Sequence, residues 1–119
     1  VMRALLPLLH GRVVVGHHVG FDARMIGESL RRHFGIKWRN PLVDTAKLAM
    51  RELSAFHRTG YANQPPPSLD DVCSQLSIYP MERHSAWGDA FTTAEIYLLL
   101  CARMRQRAKR KLRWKDVGL

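Results

Sequence analysis

The sequence predicts an α/β domain, on three observations. A β-branched run at residues 12–17 and a short strand-like segment at 41–44 flank a stretch with helical periodicity. The strand–helix–strand order is that of a sheet covered by helices. Beyond residue 45 the chain reads as helices and loops, with no further strand. A length of 119 residues suits one domain and is too short for two. A hydrophobic share of 46% with 24% charged residues is that of a folded chain and excludes the low-hydropathy, disordered class.

Each element has its own signal. Met2, Leu5, Leu6 and Leu9 are spaced as one helical face, and Gly11 follows as a stop. Pro7 makes this helix short or kinked. Val13, Val14 and Val15, closed by Gly16, read as a buried strand. From Asp22 to Phe34, with Met25, Ile26, Leu30 and Phe34 on one face and Gly35 at the end, the pattern is an amphipathic helix. Pro41 to Asp44 reads as a second strand, and Thr45 to Leu53 as a helix with Asp44 or Thr45 near its cap.

Residues 55–67, ending in Pro65, Pro66 and Pro67, read as an exposed loop. Ser68-Leu69-Asp70-Asp71 has the spacing of a capping box, with Asp in place of the usual Glu, and opens a helix to about Leu76. Residues 84–88 read as loop. A long helix follows from Asp89, with Ala90, Ala94, Tyr97, Leu98 and Cys101 on or near its buried face. Two strands cannot shield helices on both faces, so the sheet is expected to be incomplete at its N-terminal side.

Charge divides the chain. Residues 103–119 hold eight Lys/Arg and one Asp, and residues 1–102 hold eleven and nine, so most of the net +9 lies in a basic tail. Such a run suits a polyanion, and equally a solvated helix end. Two domain segments are therefore expected: 1–102, and a basic helical extension at 103–119. Trp114 within that extension is read either as a stacking surface for a base or as an anchor of the segment. No apolar run reaches the length of a membrane span, and the leucines after Met2 lack a cleavage site, so no membrane partner is expected. Cys73 and Cys101 stand outside any metal-ligand spacing; they read as buried free thiols of a reducing, cytoplasmic compartment.

Two segments carry chemistry. In Val15-Gly16-His17-His18-Val19-Gly20-Phe21-Asp22 a strand runs into a helix with an acid at the junction, where α/β folds build sites. In His84-Ser85-Ala86-Trp87-Gly88-Asp89 a histidine precedes an acid by five residues, and the acid is expected to open the helix. Taken singly, each Asp reads first as a helix cap, and His84 as a surface residue.

Together, with Val43-Asp44-Thr45 and Ser68-Leu69-Asp70-Asp71 between them, the two segments resemble the DnaQ-like exonucleases of the DEDDh type. That family includes the proofreading subunit of bacterial DNA polymerase. Its second motif reads His-Asn-x-x-Phe-Asp and its third His-x-x-x-x-Asp. The resemblance covers residues 5–102. It implies an RNase H-like exonuclease fold and two-metal hydrolysis of phosphodiester bonds with Mg²⁺ or Mn²⁺, hard ions that prefer oxygen ligands. It implies metal-site carboxylates at Asp22 and Asp89, a general base at His84, and substrate contacts from His17, His18 and Phe21. The implied partners are the 3′ end of DNA or RNA and a DNA polymerase subunit.

Two positions depart from the pattern. His18 stands where the family usually has Asn. The family's first motif, Asp-x-Glu on the opening strand, is not matched, because no acid precedes Asp22. The expectation is a chain that lacks this pair and is nearly inactive as it stands. The alternative is a non-catalytic nucleic-acid-binding or interaction module on the same fold; a basic structural protein is the third reading.

Overall fold

The computed structural model describes residues 1–57 and 65–119. Among them the chain forms α1 (Met2–Leu9), β1 (Val14–Gly16), α2 (Val19–Phe34), β2 (Leu42–Asp44) and α3 (Thr45–Glu52). A 3-10 turn at Ser54–Phe56 precedes α4 (Leu69–Leu76), α5 (Ala86–Ala108) and a second 3-10 turn at Trp114–Val117. The order of helices and strands is the one the sequence predicts. Most of the 55–67 loop lies outside the described residues. Its last residue, Pro67, is buried rather than exposed, and its carbonyl is hydrogen-bonded to the His17 ring.

β1 and β2 pair in parallel, with Val14 opposite Leu42, Val15 opposite Val43 and Gly16 opposite Asp44. Alternate side chains of a strand face opposite ways. Val43, flanked by Val13 and Val15, therefore enters one cluster with Leu48 and Ala49 of α3, Val72 and Cys73 of α4, and Ile96 and Leu100 of α5. α2 packs on both strands, and its fully buried Leu30 lies outside that cluster. The parallel pair thus sits between α2 and the other helices, and both strand ends point to one edge of the molecule. Burial of each such aliphatic side chain contributes about 1.5–3 kcal/mol.

Several expectations are corrected. β1 is half-buried rather than buried, because among the described residues it has only β2 beside it. On α2 only Leu30 of the expected stripe is fully covered, while Met25 is 54% exposed. On α5 the covered face is Gly88, Thr92, Thr93, Ile96, Leu100 and Met104. Ala90, Ala94 and Leu98 face solvent, together with Trp87 and Phe91, whose rings stack at 5.7 Å. Leu98-Leu99-Leu100 covers every side of a helix, so its hydropathy does not choose a face.

The basic segment folds back on the body. Met104 and Val117 join the core cluster. Arg107 pairs at 2.6 Å with Glu52, a carboxylate whose side chain is only 4% exposed. Burial pushes the Glu52 carboxyl up, but hydrogen bonds from Arg107 and Arg51 outweigh it and hold the group below its ordinary value. Arg51 also reaches the Asp116 carbonyl, and both Asp116 oxygens accept from Arg110. Cys73 is buried as expected, whereas Cys101 is only partly covered; burial raises both thiols, so neither is a ready thiolate.

Candidate active site

A cleft of about 560 Å³ opens at the edge where β1 ends and α2 and α5 begin. His17, His18, Asp22, Arg83 and Asp89 line it. A larger cleft of about 730 Å³ adjoins it across His18, but its acid, Asp44, is committed to capping α3. The smaller cleft carries the chemistry.

The end of β1 is fixed by His17. Its Nε2 lies 2.9 Å from the Pro67 carbonyl, which can only accept, so Nε2 carries the proton. Its Nδ1 lies 2.8 Å from Thr45 Oγ1, whose hydroxyl also donates to the Gly16 carbonyl at 3.3 Å. One ring thus ties β1 to the start of α3 and to the chain entering α4. Burial pushes the His17 imidazole below its ordinary value, the Pro67 carbonyl opposes this, and neighbouring His18 adds to it.

His18 is the N-cap of α2 and stands in the left-handed region, at φ 55° and ψ 45°. Its backbone N–H donates to Asp44 Oδ1 at 3.0 Å. Among residues with a side chain, Asn, Asp and His tolerate this region best. His18 meets this backbone demand without glycine. The His18 ring lies 4.6 Å from that of His17 and faces the cleft mouth. Phe21 is 68% exposed and stands outside the cleft lining.

Asp22 and Asp89 are not caps. α2 starts at Val19 and α5 at Ala86, so each acid is the fourth residue of its helix. The cap of α5 is Ser85, whose Oγ accepts from Gly88 N at 2.9 Å. Gly88 is required there: a Cβ would stand 2.1 Å from the Met81 carbonyl and 2.5 Å from that of Glu82. This close approach, with Met81 N donating to Thr92 Oγ1 at 3.0 Å, pins the 81–85 turn to α5.

The turn delivers two residues to Asp89. Arg83 Nη1 donates to both carboxylate oxygens, at 2.8 and 2.9 Å, and Arg83 Nε donates to Asp70 Oδ1 at 2.6 Å. The His84 backbone N–H donates to Asp89 Oδ1 at 3.2 Å. His84 itself stands at φ 76° with its side chain exposed, beside the cleft rather than among its lining residues. No sequence signal singles out Arg83 or the Pro67 carbonyl, and Thr45 reads there only as a cap candidate; no periodicity links these groups to their partners.

A hard divalent ion needs several oxygen ligands. Among the described residues no three His, Cys, Asp or Glu side chains converge to hold one. Asp22 and Asp89 share the cleft, but both oxygens of Asp89 are occupied by Arg83. The residues in this arrangement do not make a metal centre.

Comparison with known proteins agrees with the motifs. The exonuclease family profile of the RNase T type matches residues 1–97. DNA polymerase III PolC-type proteins of Thermotoga petrophila and Thermotoga maritima are each 30% identical over 106 residues, 89% of this chain and 7% of theirs. DNA polymerase III subunit epsilon of Aquifex aeolicus is 29% identical over 98 residues, 82% of this chain and 45% of its own length. The chain thus spans a small part of the PolC-type relatives and under half of the epsilon subunit. No solved structure matches significantly. With second- and third-motif acids at one cleft and the profile covering most of its length, the chain belongs to the RNase T-type exonuclease family, whose fold is RNase H-like.

Proposed function

We propose that the polypeptide carrying these residues is a 3′–5′ exonuclease that hydrolyses phosphodiester bonds at the end of DNA or RNA with the help of Mg²⁺ or Mn²⁺. The observation that carries this reading is the convergence of Asp22 and Asp89, from equivalent positions of two helices, on one cleft beside His17 and His18. In this reading Asp22 and Asp89 are two of the metal-site carboxylates, and further acids complete the set. His84 is the general base, a role that requires its exposed ring to swing into the cleft from a backbone anchored to Asp89. His17, His18 and Phe21 contact the terminal nucleotide. His17 does so only indirectly, since both its ring nitrogens are engaged. The names of the relatives support association with a replicative DNA polymerase, hence a role in proofreading and a cytoplasmic location.

A second reading, a non-catalytic nucleic-acid-binding or interaction module, is favoured by one observation: both oxygens of Asp89 are engaged by Arg83. A nuclease assay separates the two. The natural polypeptide is incubated with Mn²⁺ and single strands of DNA or RNA labelled at the 5′ end. Stepwise shortening supports the exonuclease, and the preferred strand names the substrate. Binding without shortening moves the function to the second reading.

A further inference from the structure

We propose that the far end of α5 is a separate binding site for single-stranded nucleic acid, with a basic groove for phosphates and an apolar pocket for a base beside it. The inference rests on the exonuclease reading only for the presence of a strand; the site itself lies apart from the cleft.

The groove, of about 580 Å³, is lined by Arg105, Lys109, Arg110 and Lys111. Arg110 is committed to Asp116, through hydrogen bonds of 2.8 and 2.9 Å. Among the described residues no acid pairs with Arg105, Lys109 or Lys111. Lys109 closes α5 in the left-handed region, at φ 55° and ψ 33°, where glycine is the usual residue. A lysine there keeps a charge on the wall of the groove at the turn. The wall is fixed from beneath: Met104 and Val117 belong to the core cluster, and Arg107 is held by Glu52. Unpaired cations on a fixed concave surface attract a chain of negative charges.

Cations at a helix C-terminus also complement its dipole, which accounts for the charges but not for what adjoins them. An apolar pocket of about 390 Å³ is lined by Tyr97, Cys101, Leu112, Trp114 and Val117, with Arg113. It lies against the groove: Cys101 and Leu112 line the pocket, and their chain neighbours Ala102 and Lys111 line the groove. Trp114 is 61% exposed, an indole in solvent close to the cations. A ligand that fits both places carries a negative charge and a flat apolar group on the same unit. A nucleotide of a single strand does so, and its base is free to stack on an aromatic side chain. In a duplex the bases are paired and stacked already, so only the phosphates are offered.

Arg105 stands about 24 Å along the helix axis from Asp89, and a turn of about 100° per residue puts Arg105 and Lys109 on the far side of α5 from that acid. The site therefore holds a stretch of strand away from the end that enters the cleft.

The test is the binding of internally labelled strands to the 119-residue protein, read by fluorescence anisotropy in EDTA so that nothing is cut. Arg105→Gln combined with Lys109→Gln is expected to weaken single-strand binding about tenfold and to flatten its log–log salt dependence by about 1.4, the share of two phosphates. Trp114→Ala is expected to weaken it about fivefold or more and to leave duplex binding unchanged. A circular single strand, which has no end, is expected to bind as tightly as a linear one. An unchanged salt slope, a Trp114→Ala loss that is absent or equal for duplex and single strand, or a strict need for a free end overturns the proposal. So does displacement of the strand by polyglutamate at equal charge, which would make the surface a dock for an acidic protein. Should Trp114→Ala not fold, nuclear magnetic resonance of the unaltered protein decides: the Trp114 indole N–H signal is expected to shift as the strand binds, and an unmoved signal at saturation sinks the idea. Strand shortening judges the exonuclease reading separately. A protein that binds strands here and cuts nothing loses that reading and keeps this one.

Discussion

Asp22 and Asp89 each occupy the fourth position of a helix that begins at the same cleft, yet their surroundings differ. α2 enters through His18 in a left-handed conformation, without a side-chain cap, and Asp22 projects from an exposed turn with no hydrogen-bond partner among the described residues. α5 enters through a capped, tightly packed turn, and Asp89 accepts from Arg83 and from the His84 backbone. One acid is available and the other is held. A motif in the sequence sets where a carboxylate stands; the turn before the helix decides whether it is free.

The glycines of the two turns give the largest contrast. Gly88→Ala drives a methyl group into two backbone carbonyls and is expected to destabilise the fold by about 3 kcal/mol or more, read as the midpoint of urea unfolding. Gly20→Ala in the α2 turn meets nothing within 4 Å and is expected to stabilise by up to about 1 kcal/mol, since alanine is the better helix former. Equal responses at the two positions would break the comparison.

His17 comes next, because it fixes the β1 end that both turns share. Its replacement by Ala leaves the Pro67 carbonyl without its partner, removes one of two from Thr45, and is expected to cost about 2 kcal/mol. Its pH dependence has a definite sign. The imidazole is held below its ordinary 6.5 in the fold, so between these values the unfolded chain binds the extra proton. Stability is therefore expected to fall as pH drops below about 6.5, and this part of the slope should vanish in His17→Ala.

The smallest effect lies in the acids themselves. Asp89→Asn weakens the partly solvated contact with Arg83 and is expected to cost about 1 kcal/mol, whereas Asp22→Asn should change stability by less than about 0.5 kcal/mol. A reversed order would mean that Asp22, not Asp89, is the held acid.

Much of this was legible in the sequence, and the gaps have physical causes. The strand-like runs, the Ser68–Asp71 capping box and the Asp44 cap are local signals, and each is realised where the spacing puts it. The two site acids were legible by motif. Their helical positions were not, since a cap can be any of several polar residues near a helix start. Ser85, three residues before the glycine whose N–H it accepts from, was the available clue for α5. Arg83 lies thirteen residues from Asp70 and six from Asp89, separations that no periodicity connects. The burial of Val117 likewise depends on the chain doubling back after Lys109, in a segment whose charge advertises only solvent.

The most direct test of the central claim is the rate at which the natural polypeptide shortens a 5′-labelled strand with Mn²⁺, compared for the unaltered protein, Asp22→Ala and Asp89→Ala. The two-acid cleft predicts stepwise loss from the 3′ end and a fall of at least about a hundredfold in each variant, the scale on which removal of a group that acts in the transition state is felt. Full activity in either variant would contradict it, by showing that the cleft at the head of α2 and α5 is not where the bond is cut.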